Sequence, residues 1–146
     1  MFRWKWYPKI LNACPNQTWR TLTALWRIGG LRLKEPLALT WDCVNWEKER
    51  LRVISPKTSR HAGKDERIIP LYPELRGELE KQFEEAEEGG SPYIIVENRR
   101  ENYHSGFKRI LFWAGLPEWP RLFQNMRASR DNDLIEAGYP THVVAY

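Results

Sequence analysis

Gly29-Gly30-Leu31-Arg32-Leu33-Lys34-Glu35-Pro36-Leu37-Ala38-Leu39-Thr40-Trp41-Asp42 holds the change of rhythm that decides the fold of this chain. Paired glycines stop a preceding helix, because glycine enters the left-handed backbone region without a steric penalty. Arg32 therefore projects from a junction between two helical segments, where a rigid backbone can aim a long side chain into a cleft. Leu33, Leu37 and Leu39 surround Pro36, and a proline in the first turn suits a short helix beginning near Lys34.

Upstream of the junction, Trp19, Leu22 and Trp26 fall at spacings of three and four, which predicts a helix over residues 16 to 28 with Asn16 as its cap. Downstream the period changes to two. Val44 and Trp46 alternate, Glu47-Lys48-Glu49 reads as a polar turn, and Arg50-Leu51-Arg52-Val53-Ile54 alternates again, so a hairpin is expected. A polar stretch from Ser55 to Glu66 then leads to Arg67-Ile68-Ile69-Pro70, a third short antiparallel strand. Helical spacing returns at Pro73 to Glu88, with Leu75, Leu79, Phe83 and Ala86 on one face. Tyr93-Ile94-Ile95-Val96 is an apolar run of undecided type. Two further helices are expected. One spans Ser105 to Leu116 on a stripe of Phe107, Ile110, Leu111 and Ala114; the other spans Leu122 to Ala137 and is closed by Gly138 and Pro140. The fold class is α+β, mostly helical, with one small three-stranded antiparallel sheet.

The chain has 146 residues, which fits a single domain, and it is 42% hydrophobic and 29% charged with a mean hydropathy of -0.65, so it can bury a core. The longest stretches free of charged residues are Ile10 to Trp19 and Ala137 to Tyr146, each half of the roughly twenty apolar residues that a membrane helix needs. Met1-Phe2-Arg3-Trp4-Lys5-Trp6 lacks the apolar centre of a secretory signal. Cys14 and Cys43 make no disulfide framework and are expected as reduced thiols in a cytoplasmic protein.

Charge is unevenly spread. Twelve basic residues against four acidic ones give residues 1 to 60 a net +8; residues 61 to 97 carry -6, and residues 98 to 146 carry +2. A basic segment in a chain of pI about 9.2 is the footprint of a phosphate-backbone binder. It is equally the look of a solvated surface. His61, His104 and His142 are far apart with no supporting cluster, so no metal is expected, and neither a Walker loop nor a dinucleotide glycine fingerprint is present. No cofactor is expected.

The arginines carry more information. Arg127 stands three residues after Gln124, which makes the two side chains neighbours on one helix face. A guanidinium is a planar fork that matches two phosphate oxygens, and a pair of them can stabilise the charge that grows as a phosphodiester is attacked. Lys57, in the loop after the second strand, could reach a leaving oxygen. Each has a plainer alternative: an arginine paired with Glu35 or Asp131, or a lysine in water.

The order of these elements is distinctive. Gly30-Leu31-Arg32-Leu33-Lys34-Glu35, then Leu37, Leu39 and Trp41-Asp42; a hairpin; Ser55-Pro56-Lys57-Thr58; Arg67-Ile68-Ile69-Pro70-Leu71; then Gln124-Asn125-Met126-Arg127 and Gly138: this succession resembles the catalytic domain of the tyrosine recombinases, the phage integrase family. The resemblance covers nearly the whole chain and rests on the order and spacing of short elements. It implies that residues 1 to 146 are such a domain, with residues 1 to 15 a linker or first helix from a core-binding domain that is otherwise missing.

The resemblance also implies roles. Arg32 matches the first catalytic arginine, Glu35 the acidic residue that supports it, Lys57 the general acid of the hairpin, and Arg127 the second arginine of a His-x-x-Arg box. Gln124 occupies the histidine position, and a glutamine hydrogen-bonds without changing protonation near neutral pH. Arg60 and Lys64 are expected to join Arg32, Lys57 and Arg127 in contacting DNA. The family's nucleophile is a tyrosine roughly thirty residues past the second arginine. Tyr146 stands nineteen residues past Arg127 and is expected to be a packing residue, with the nucleophile absent and the fragment inactive. The implied partners are double-stranded DNA and other recombinase protomers in a synaptic complex, near the nucleoid. Two other readings compete: a non-catalytic DNA-binding module on the same fold, and an interaction domain using the eight tryptophans, of which Trp19, Trp26, Trp41 and Trp113 fall on apolar stripes and are expected in the core.

Overall fold

A computed structural model describes residues 4–55 and 66–136. Helix α1 (Trp6–Ala13) is followed by α2 (Gln17–Arg27), the strands β1 (Val44–Asn45), β2 (Arg50–Ile54) and β3 (Glu66–Pro70), and the helices α3 (Pro73–Glu85), α4 (Tyr103–Trp113) and α5 (Leu122–Glu136). The sheet order is β1-β2-β3, antiparallel throughout, with Leu51 opposite Ile69 and Val53 opposite Arg67. The expected class and the three-stranded meander are both present.

Asn16 caps α2 as expected: its side-chain oxygen accepts the Trp19 backbone N–H at 2.9 Å, satisfying one of the donors a helix start leaves open. At the other end Gly30 takes φ +70°, and the Gly29 and Leu31 N–H groups bond back to the carbonyls of Ala24 and Leu25. The helix expected near Lys34 is a 3-10 turn, Glu35–Ala38, with Pro36 in its first positions. Residues 1 to 15, expected as a linker or a first helix, contain α1. In α1, Tyr7 and Ile10 are buried, and Trp6 stacks on Trp119 with 5.8 Å between ring centroids, so this segment packs into the domain.

The core is an aromatic hub. Trp26 is fully buried, its ring edge-on to Tyr103, Phe107 and Phe123, which joins α2, α4 and α5, and its indole N–H donates to the Leu33 carbonyl at 3.2 Å. Gly106 lets α4 approach closely: a Cβ there would lie 2.6 Å from the ring of Trp19.

Three expectations about faces are corrected. On α3 the buried positions are Leu75, Glu78, Leu79 and Gln82, while Phe83 is 52% exposed and Ala86 is an exposed C-cap. The reason is a polar seam against α2. The Glu78 carboxylate accepts from the Gln17 amide at 3.0 Å and from Arg20 Nε at 3.2 Å, and the Gln82 amide donates to Thr18 Oγ1 and to the Ile94 carbonyl. These satisfied polar pairs claim the face that hydropathy assigned to Phe83. Phe83 instead meets Trp41 and Trp46, and Trp46 lies in the β1–β2 turn rather than in a strand. Trp113 is 54% exposed, unlike the buried Trp19 and Trp26, because α4 turns Phe107, Ile110 and Leu111 inward. The Tyr93–Val96 run forms a single bridge, Tyr93 to Thr40, with Ile94 and Ile95 buried.

Candidate phosphate-binding corner

The bend after α2 builds a charged corner from local and distant parts of the chain. Glu35, at the first position of the 3-10 turn, is buried and accepts the backbone N–H of Arg32 at 2.6 Å. Its carboxylate is also held by both terminal nitrogens of Arg67, at 2.7 and 2.8 Å, the bidentate geometry that makes arginine–carboxylate pairs strong. The Arg32 guanidinium stands farther off, 3.8 Å from Glu35, with its side chain 41% exposed. Glu35 thus fixes the backbone of Arg32 while Arg67 supplies most of its counter-charge, and the Arg32 fork faces solvent. Burial works to raise the Glu35 pKa, but the hydrogen bonds from Arg67 and Arg32 and the charges of both hold the carboxyl below its ordinary value.

Arg67 was not among the expected site residues. Its signal lies in the period-two register: Arg67 and Ile69 share a sheet face, and Ile69 is buried, so the arginine is drawn to the core side opposite Val53. A long cation on the inward face of a short strand requires a buried anion.

Helix α5 brings the second expected pair. Gln124 is exposed in its first turn and Arg127 half-buried in its second. One turn further, the Arg130 side chain passes the Gly30 bend, where a Cβ would lie 3.6 Å from its Cγ, and its guanidinium covers the Tyr72 ring at 4.1 Å. The next turn carries Asp133, whose carboxylate meets Arg27 at the end of α2 at 2.7 Å. Helix α5 is therefore seated against the elements that carry Arg32. Lys57, Arg60, Lys64 and Tyr146 lie outside the described residues.

Among the described residues, no group of three or more His, Cys, Asp and Glu side chains is placed to hold a metal ion, and no helix is long and apolar enough to cross a membrane. Cys14 and Cys43 are free thiols. The two clefts at the carboxyl end of α3, lined by Gln17, Gln82, Glu87, Ser91 and Trp41 among others, contain none of the expected site residues.

The model of the phage integrase family matches residues 2–146. Among solved structures, that of XerA recombinase superposes with a TM-score of 0.76 at 16% identity, covering 98% of this chain and 53% of that one. The Tn1549 transposon integrase in complex with circular intermediate DNA gives 0.69 at 14% identity, covering 99% and 55%. A lambda integrase dimer bound to a COC' core site gives 0.66 at 21% identity, covering 96% and 53%. The chain thus spans about half the length of the structures it matches. No curated protein sequence matches it.

Proposed function

The chain belongs to the phage integrase family, and from that premise we propose that it is part of the catalytic domain of a tyrosine recombinase whose full-length parent cuts and rejoins double-stranded DNA by transesterification. The observation that carries this reading is the corner at Glu35. A buried carboxylate whose charge is already engaged by Arg67 anchors the backbone of Arg32 and leaves the Arg32 guanidinium toward solvent. Such a fork is suited to two non-bridging oxygens of a phosphate.

In the proposed reaction Arg32 and Arg127 hold the scissile phosphate and stabilise the negative charge that builds up as it is attacked. A tyrosine hydroxyl attacks the phosphorus, the bond from phosphorus to the 5' oxygen breaks, and the DNA is left with a 3'-phosphotyrosyl link. Lys57 protonates the departing 5' oxygen. A 5' hydroxyl from a second strand then attacks the phosphotyrosine, releases the tyrosine and seals the new junction. No cofactor enters these steps. Gln124 orients the phosphate by hydrogen bonding and moves no proton. Arg60 and Lys64 add backbone contacts to DNA, and other protomers complete a synaptic complex. The reading places the protein on chromosomal DNA, in the cytoplasm.

A second reading is a DNA-binding module without catalysis, and Gln124 at the family's histidine position favours it. One experiment separates the two. The longer protein is incubated with a nicked suicide duplex from which the cut strand cannot religate. A covalent protein–DNA adduct that disappears with one tyrosine substitution, and that falls by roughly a hundredfold or more with Arg32→Ala, supports the recombinase. Duplex binding with no adduct supports the module. An adduct that survives substitution of every tyrosine overturns the proposed chemistry.

A further inference from the structure

Arg27, the last residue of α2, is 2% exposed, and its Nη1 lies 2.7 Å from Asp133 Oδ2 on α5. Burial depresses the arginine pKa, and the hydrogen bond and charge of Asp133 oppose that shift. The Trp4 ring covers the same guanidinium at 4.8 Å, closing it from above. Asp133 also faces Arg130, 3.9 Å away, whose own guanidinium lies over Tyr72 just beyond β3. Helix α5 is thus tied to the end of α2, to the Gly30 bend and to the exit of β3. Arg127 is one turn before Arg130, and residues three apart on a helix are neighbours.

An ion pair whose guanidinium is buried and whose carboxylate, Asp133, is 37% exposed is a poor device for stability, since apolar side chains of similar volume in the place of buried charges are often neutral or better. What it supplies is direction. An apolar contact tolerates a helix that slides or turns, whereas a buried guanidinium accepts its carboxylate in one place. We propose that Arg27 and Asp133 form a positioning pair, setting the rotation and register of α5 so that Arg127 meets the phosphate held at Arg32. The proposal rests on the reading of Arg32 and Arg127 as phosphate ligands; the pair itself does not touch DNA.

The test is a double-mutant cycle on duplex affinity, measured with the 146-residue chain and a fluorescent double-stranded oligonucleotide at low salt. The apolar swap R27M/D133L removes the charges while preserving volume; its fold is checked by thermal unfolding. The swap is expected to weaken binding about fivefold to tenfold, and to have no further effect in an Arg127→Ala background, because coupled residues are non-additive. Arg27→Lys, which keeps the charge, is expected to restore part of the loss. If the swap does not fold, Asp133→Asn, which keeps an oxygen for Arg27, is read in the same cycle. A swap that leaves affinity unchanged, or whose effect adds in full to that of Arg127→Ala, overturns the positioning role. If Arg127→Ala alone leaves affinity unchanged, the phosphate reading falls first and the positioning role falls with it.

Discussion

Arg67 grips both oxygens of Glu35 from a strand 32 positions later in the chain, at 2.7 and 2.8 Å, and so joins the small sheet to the bend that carries Arg32. The arrangement divides labour. Arg67 is largely buried and compensates the carboxylate, whereas Arg32 lends Glu35 its backbone N–H and keeps its guanidinium outward. Arg67→Ala leaves a buried carboxylate without its main partner, and the expected loss is about 3 kcal/mol. Arg32 would then be drawn toward Glu35, so duplex affinity should fall as well. Thermal unfolding and fluorescence anisotropy of the same variant check both halves, and an unchanged melting temperature would contradict the clamp.

The same pair sets a pH dependence. The folded-state pKa of Glu35 lies below its ordinary value of 4.5, so folding favours the ionised form. Its stabilising contribution is complete above that ordinary value and is lost as pH falls through it toward the folded-state value. Glu78, held below the ordinary value by Gln17 and Arg20 against the opposing effect of burial, acts in the same direction. Melting temperature should drop on acidification below about pH 4.5, and Glu35→Gln should flatten that slope while lowering stability at neutral pH. An equally steep slope in the variant would assign acid sensitivity to other carboxylates.

Gln124 is exposed in the first turn of α5, so a ring fits there without repacking the core. Gln124→His is expected to leave stability within about 0.5 kcal/mol. It should also give the longer protein's strand cleavage a new pH dependence centred near 6.5, because histidine titrates there and glutamine does not. A cleavage rate with the same pH profile in both forms would show that this position exchanges no proton.

Seating of the Trp19 ring of α2 against α4 depends on Gly106, since an added Cβ would stand 2.6 Å from that ring, which is buried and cannot swing away. Gly106→Ala gains helix propensity of up to about 1 kcal/mol. Overpacking costs about 1 to 3 kcal/mol and outweighs it. Chemical denaturation should therefore show a net loss, and a stabilised variant would mean that the Trp19 ring shifts at no cost.

Much of this was legible from residue pattern, and the exceptions share a cause. The Asn16 cap, the Gly30 stop and the meander are local, encoded within a few residues of where they act. The face of α3 was misread because Glu78 and Gln82 are polar, and only their partners on α2, some sixty positions away, show why they turn inward. Arg32 stood out because it follows the Gly29-Gly30 stop, and Glu35 because the family resemblance points to it. Arg67 did not, because its importance comes from strand register, which pairs it with Val53 and points it at a carboxylate outside its own segment. Trp113 looked like core because a helix stripe is wider in hydropathy than the area its neighbours cover.

The long sequence separation of Glu35 and Arg67 also has a consequence for synthesis. The ribosome finishes the bend before it has made the arginine that neutralises it, so the nascent carboxylate stays hydrated until β3 emerges and zips onto β2. Withdrawal of that charge from water is then simultaneous with sheet closure, which makes the Arg67–Glu35 clamp, and with it the fixed backbone of Arg32, a late product of folding.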